Sequence, residues 1–450
     1  MSLLSQSLSE NRRTLALAAP IVSGYLGQML MGWADTIMVG RVGVVPLAAC
    51  AFANTVLAVP FVFGFGLLSS VSVKTSHAHG AGAHEVAGQT LRAGLLLALL
   101  AGILAATIIC LGLPLLPWLG QKPEVNTSCV TFLVLVAWSV VPLFLTAVAK
   151  GFCEALSRPW VPFWIIIGGV LINVGLNWIL IYGNLGCPAM GLDGAGWATL
   201  LARIITVLAL AYYLWSSKVL RINLPRHWLA PGLVTHLRGL LRIGLPTGAQ
   251  HLCEVTGFAF GSIMMGWLSI DALAAHQIAI TCAATSFMVP LGLGLAVSVR
   301  VGQARGSKDL RRCQPIILGA LGSVMIFSCI MAALFILGGT TISSWFSTDH
   351  ALIALSAHLL LMAGFFQVFD GLQVVSSGTL RGFEDTRFPM YIGILAYWIV
   401  ALPFCYFFAF TLKIGPTGVW MGFVLGLGVA AVALMTRVFN RIKTTQISIP

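Results

Sequence analysis

Apolar runs of about twenty residues recur along the whole chain, broken by short polar stretches. Twelve can be drawn, at 14–38, 46–72, 93–118, 127–149, 160–183, 194–215, 243–266, 272–298, 314–338, 352–379, 389–412 and 419–436. About twenty apolar residues in a helix cross the hydrocarbon of a bilayer. Strands are shorter and alternate, so the pattern predicts twelve membrane helices. Polar Met1–Arg13 is short, and the first run is long enough to remain as a helix rather than be cleaved as a signal.

The pattern also repeats. Shifted back by 226 positions, Ile243 falls on Leu17, Pro246 on Pro20 and Glu254 on Gln28. Ile263, Met264, Gly266, Leu273, Ala274 and Ala275 fall on the identical residues Ile37, Met38, Gly40, Leu47, Ala48 and Ala49. Ser298-Val299-Arg300 falls on Ser72-Val73-Lys74, and Gly306 on Gly80. Two loops repeat as well: Lys150–Pro159 with Arg381–Pro389, and Gly191–Gly194 with Gly415–Gly418. They read as structural turns. Six spans per half is an even number, so both halves insert the same way up, as a parallel repeat. The expected fold is all-α: twelve transmembrane helices in two parallel-repeat six-helix bundles around a central cavity. The domains are drawn at 1–217, a linker at 218–237 within the basic stretch Ser216–His236, and 238–450 with a short tail. Repeat halves facing each other across a cavity are the architecture of alternating-access carriers.

Composition agrees. The chain is 58% hydrophobic and 8% charged, against about 25% charged in soluble domains. The net charge of +12 does not point to nucleic acid, because its placement is lopsided. One side of the membrane receives 21 Lys and Arg, the other only Arg41, Lys122 and Lys413, and Arg203 falls inside a span. The basic side is cytoplasmic, which puts both termini and the linker there. The ten cysteines are scattered singly with no CxxC pair, supporting neither a zinc site nor a disulfide framework. His77–His84 reads as a solvated loop rather than a metal tract.

Only three of the thirteen acids lie inside spans: Asp35, Glu254 and Asp370. An intramembrane carboxylate is costly and marks a functional site unless a structural partner neutralises it; Arg203 is the candidate partner. Asp35 has Gly261 as its repeat copy, so the halves carry their acids at different places. Asn173 and Asn177, four apart on one helix face, could join Asp35 as amide-oxygen ligands for a hard cation such as sodium, or simply bond between helices. Gln367 and Gln373 flank Asp370 by about a turn, and His251 precedes Glu254 by one; that HxxE pair resembles a metal or proton relay but lacks further ligands. Burial disfavours the charged form of a carboxylate. Such an acid can hold a proton, a sodium ion or a cationic drug, one at a time, which couples ion to substrate in a protein with two states. Pro20 and Pro246, in matching places, could supply kinks for that motion.

There is no GK[ST] phosphate loop, so no ATP-driven pump resides in this chain. No paired DxxxD motif suggests a prenyltransferase, and the loop between spans two and three lacks the Gly, Asp and Arg cluster of major-facilitator carriers. The runs DTIMVGRVG with LAA, GLP with Glu254 and ALAAHQ, VGQARG, and LRGFEDTRFPM resemble the multidrug and toxic compound extrusion (MATE) family, in its NorM-like branch, across essentially all twelve spans. The resemblance implies a cation-coupled antiporter that exports bulky cationic or aromatic drugs and dyes in exchange for H⁺ or Na⁺. It implies cation binding at Glu254 and Asp370 in the second bundle, and a further site at Asp35 with Asn173 and Asn177 in the first. Gln373 and Gln28 are assigned as polar support, and Phe366 and Gln250 to the substrate cavity. Phe366 stands where the branch often has Tyr, which removes a possible hydroxyl ligand.

The expectation is therefore a monomeric, multi-pass protein of a prokaryotic inner membrane. It would need no cofactor beyond the coupling ion, and its partners would be drug, ion and lipid. A lipid-linked glycan flippase of the same superfamily is the alternative, disfavoured by the acidic character of the embedded charge. A membrane enzyme would need a metal or nucleophile cluster that the chain does not display.

Overall fold

The computed structural model describes residues 3–120, 122–225, 228 and 232–447. Among them there is no strand. Twelve long helices follow one another: α1 (Leu3–Gly40), α2 (Val44–Gly80), α3 (His84–Gly112), α4 (Pro123–Ala155), α5 (Trp160–Tyr182), α6 (Gly191–Ser216), α7 (Leu233–Leu268), α8 (Ile270–Gly306), α9 (Cys313–Ser344), α10 (His350–Gly382), α11 (Arg387–Thr411) and α12 (Pro416–Ile447). Eleven helices among the described residues are long and apolar enough to cross a membrane, and α7 is not among them. Its middle carries Thr247, Gln250, His251, Glu254 and Thr256, which dilute an otherwise apolar run. Three of them, Gln250, His251 and Glu254, build the site described below.

The repeat is visible in the backbone. Gly82 and Lys308, 226 positions apart, both take the left-handed conformation, at φ 67° and 59°, in the turns after α2 and α8. For lysine that conformation is uncommon.

The chain divides into two compact units, residues 23–248 and residues 1–22 with 249–450. The division does not run through the linker, where the sequence repeat was cut. It crosses α1 and α7, two residues beyond Pro20 and Pro246. Both helices run on unbroken through their prolines.

In the unit of residues 1–22 and 249–450, the start of α1 is held by polar contacts. Arg300 of α8 donates to the Glu10 carboxylate and, at 3.0 Å, to Thr14 Oγ1. Arg312 Nε donates to Glu10 at 3.2 Å, and Asn11 Nδ2 to Ser323 Oγ of α9 at 2.8 Å. Small residues set the spacing elsewhere. A Cβ on Gly378 of α10 would lie 2.2 Å from the Gly294 carbonyl of α8. Gly418, Gly422 and Gly426 form one face of α12, where a Cβ would strike the α11 backbone at 2.4–2.6 Å. In membranes, such small-residue stripes let helices approach closely. Within α11, two π-helical stretches, Ile394–Ala401 and Phe407–Thr411, flank Pro403, whose ring removes a backbone donor. The loop after α10 is tied down by Asp385, which accepts from Arg437 and Arg441.

In the unit of residues 23–248, the start of α7 lies on α2. A Cβ on Gly244 would meet the Leu67 carbonyl at 2.3 Å, and one on Gly66 the Gly248 Cα at 2.6 Å. Part of the Ser216–His236 linker, Arg226, His227 and residues 229–231, lies outside the described residues. The described part is anchored: Leu220 is fully buried, and Asn223 Oδ1 meets His84 Nδ1 at 2.7 Å. Lys150 and Glu154 of α4 form an ion pair at 3.6 Å, with the ammonium 4.2 Å from the centre of the Tyr25 ring.

Candidate coupling and substrate sites

The two acids of the second half, Glu254 and Asp370, are both nearly sealed from solvent, at 9% and 4% exposed. Glu254, on α7, is clasped by amides. Its Oε1 accepts from Gln373 Nε2 at 2.8 Å and from Gln250 Nε2 at 3.0 Å. Its Oε2 faces His251 Nδ1 at 3.3 Å. Each glutamine is oriented in turn. Tyr397 O–H donates to Gln373 Oε1 at 3.1 Å, and Ser377 O–H to Gln250 Oε1 at 3.2 Å. Asp370, Gln373 and Ser377 are spaced i, i+3, i+7 and share one face of α10. Asp370 lies within electrostatic range of Glu254. Among the described residues its carboxylate has no hydrogen bond or ion pair. A buried carboxylate left in that state is stable when protonated or when a cation accompanies it.

Phe366 is placed away from any open surface. It is 3% exposed, edge-on to Phe258 at 5.8 Å and to Trp420 at 5.7 Å, inside the aromatic core of its unit. Gln250 is 4% exposed and belongs to the clasp on Glu254. Gln367 points the other way and donates to the Ala283 carbonyl of α8 at 3.3 Å.

Asp35 lines a cavity of about 280 Å³ within the unit of residues 23–248. Gln28 and Asn54 share the wall with it, as do the aromatic rings of Phe61, Phe65 and Phe132, and Arg203. Asn177 Nδ2 donates to Asp35 Oδ1 and, at 3.2 Å, to Asn173 Oδ1. Asn173 and Asn177 are fully buried, and Asn177 Oδ1 has no hydrogen-bond partner among the described residues. A carboxylate, with amide oxygens beside it, is a donor set suited to a hard monovalent cation or a proton. Among the described residues, no group of three or more His, Cys, Asp or Glu side chains could hold a metal ion.

Arg203, the one basic residue predicted inside a span, does not neutralise Asp35 by direct contact. Its Nη1 donates to Ser139 Oγ at 2.6 Å, and its guanidinium lies 5.4 Å from the centre of the Phe61 ring. Tyr397 and Ser377 escaped sequence reasoning altogether. Tyr397 lies in an apolar aromatic run, among Tyr391, Trp398 and Phe404, where a tyrosine reads as membrane filler.

Acids kept buried but clasped by neutral donors suit a carrier that must take up and release an ion, and the class these elements define is a membrane transporter. The chain belongs to the MatE family, whose profile matches residues 20–179 and 246–407. It is 33% identical over 443 residues to a probable multidrug resistance protein NorM of Rhizobium meliloti, covering 96% of this chain and 94% of that one. It is 36% identical over 433 residues to the protein so described in Bradyrhizobium diazoefficiens, covering 94% and 92%. The fold matches the crystal structure of the eukaryotic MATE transporter AtDTX14 with a TM-score of 0.89 at 20% identity, covering 98% of this chain and 99% of that one. As a member of this family the chain is a secondary active transporter and not an enzyme.

Proposed function

We propose that the protein exports bulky cationic and aromatic drugs and dyes by alternating access, in exchange for inward H⁺ or Na⁺. It would do so across a prokaryotic inner membrane, with both termini cytoplasmic. The observation that carries this reading is Glu254, clasped by two glutamines, within electrostatic range of Asp370, which has no hydrogen bond among the described residues. Two like charges in a low-dielectric site are not both left bare. One is protonated, or a cation sits with them. When the site opens to the high-ion side it loads; when it opens to the other, the ion leaves and an acid is free for a cationic drug. Asp35, with Asn173 and Asn177, offers a second ion site. The orientation rests on the 21 to 3 distribution of basic residues.

Ethidium efflux from membrane vesicles, under an imposed pH gradient or an imposed sodium gradient, tests the reading. One of the gradients should drive efflux, and Asp35→Asn should abolish it in a protein that still inserts. Efflux that ignores both gradients would rule out cation-coupled exchange.

A further inference from the structure

Helix α11 leaves the α-helical register where it meets the Glu254 clasp. Residues Ile394–Ala401 are π-helical with Tyr397 among them, and the Leu402 N–H reaches back five positions to the Tyr397 carbonyl. A second π stretch, Phe407–Thr411, closes the same way, from Leu412 N to Phe407 O at 2.9 Å. A π turn holds one residue more than the α-helix needs, and such turns are rare and gather at functional sites. The stretch lies on glycine on two sides. On α7 a Cβ at Gly257 would lie 3.2 Å from the Tyr397 Cβ, and on α12 one at Gly426 would lie 2.6 Å from the Ala396 carbonyl. The Tyr397 ring rests edge-on against Phe258 at 5.6 Å. Among the described residues its one polar side-chain contact is the hydrogen bond from its O–H to Gln373 Oε1 at 3.1 Å. That bond depends on what Glu254 holds. Gln373 gives its Nε2 to Glu254 and so leaves Oε1 for the tyrosine. A proton on Glu254 turns the carboxyl into a donor, and a sodium ion there takes lone pairs, so either asks the clasp for an oxygen. Gln373 meets that demand by turning its amide over, and Oε1 then leaves Tyr397.

We propose that the π stretch around Tyr397 is a register switch that reads the ion occupancy of the Glu254 site. The proposal rests on the export reading and adds the element that carries the state of the site into a helix. When Glu254 is without its ion, Tyr397 bonds Gln373 and the wide turn is held at residues 394–401. When the ion loads, the bond is given up and the wide turn passes along α11. Its passage rotates Tyr397 by about 100° and shifts it by about 1.5 Å, the step of one helical residue. Register shifts of this kind run in microseconds to milliseconds, the range of alternating access. A single neutral hydrogen bond is a small bias, so the register stays responsive to the ion, and the glycines at 257 and 426 put no side chain in the way of the shift.

Two measurements on the full-length reconstituted protein test the switch. In the first, hydrogen exchange is followed at pH 8 without sodium in the wild type and in Glu254→Gln, which holds the site neutral as a loaded ion does. Exchange in residues 394–401 should slow by about threefold or more in the variant, as the wide turn leaves that stretch. In the second, Ile399 is deleted. Its side chain is 61% exposed, so little packing is lost. The bond from Leu402 to Tyr397 then spans the ordinary four positions, and the flanks of α11 keep their faces. The deletion should leave ethidium binding at fixed pH within about twofold of wild type and lower gradient-driven efflux by about tenfold, because only the conformational step is touched. If the deletion protein does not insert, the exchange measurement decides alone. Equal exchange in the wild type and Glu254→Gln overturns the inference. So does a deletion protein that exports at the wild-type rate, or one that loses binding in step with efflux. Each of these leaves the export reading standing, whereas wild-type efflux that follows neither a pH nor a sodium gradient overturns both.

Discussion

Glu254 is reached by five polar side chains, and two of them act through glutamines. Tyr397 holds Gln373 with its amide nitrogen turned toward the acid, and Ser377 does the same for Gln250. Replacing Tyr397 by Phe leaves Gln373 Oε1 buried without its donor, a loss of about 1–3 kcal/mol. Tyr397→Phe should therefore lower ethidium efflux roughly five- to a hundredfold. Expression should stay near wild type, and thermal stability should fall by no more than that amount, since the ring still packs against Phe258. Wild-type efflux in that variant would show that Gln373 needs no orientation. The acids were legible in the sequence because a carboxylate in an apolar run stands out at once. Tyr397 was not, since its polar atom matters only through a partner brought by α10 from 24 positions away. Arg203 was legible as a lone intramembrane cation. Its placement beside Ser139 and Phe61, rather than against Asp35, depends on how α6 packs and could not be read from spacing.

The helix starts of the two halves are repeat copies with opposite electrostatics. Glu10 of α1 corresponds to His236 of α7, and Arg300 to Lys74. In one half a carboxylate receives Arg300 and Arg312. In the other, the half-buried His236 faces Arg92 and Lys74, and burial together with these cations holds its imidazole below the ordinary histidine range. The folded state thus binds the proton less readily than the unfolded chain does. Stability contributed by this segment is full above the unfolded pKa of about 6.5 and is lost as pH falls below it. Hydrogen exchange, corrected for intrinsic rate, should speed up in residues 233–248 between pH 8 and pH 5.5, and His236→Gln should remove that response. A segment equally protected at both values would show that the Lys74 and Arg92 charges are screened. Helix existence was readable from hydrophobic runs of about twenty residues, α7 included despite its polar middle. The division inside α1 and α7 was not, because the linker after α6 is the obvious break in composition, whereas close contacts such as Gly66 with Gly248 tie the start of α7 to α2. The π turns of α11 gave no sequence signal beyond Pro403.

Across the whole molecule, duplication set a common scaffold and divergence placed the chemistry. Gln28 stands where the second half has Glu254, and Gly261 stands where the first half has Asp35. The second exchange has a steric reason: any Cβ at Gly261 would lie 2.2 Å from the Phe423 ring, so no acid fits there. On the export reading each unit keeps one acid-based site of its own design, with ion coupling assigned chiefly to Glu254 with Asp370. That assignment is tested most directly by a double-mutant cycle on ethidium efflux, with Glu254→Gln, Asp370→Asn and the pair, alongside the pH and sodium dependence of drug binding in each. If the two carboxyls form one site, each single variant should lose most of the driven efflux. The double variant should lose little more, since groups acting as a unit are not additive. Additive losses, with drug binding in each single variant still responding to pH and sodium as in the wild type, would contradict a shared site.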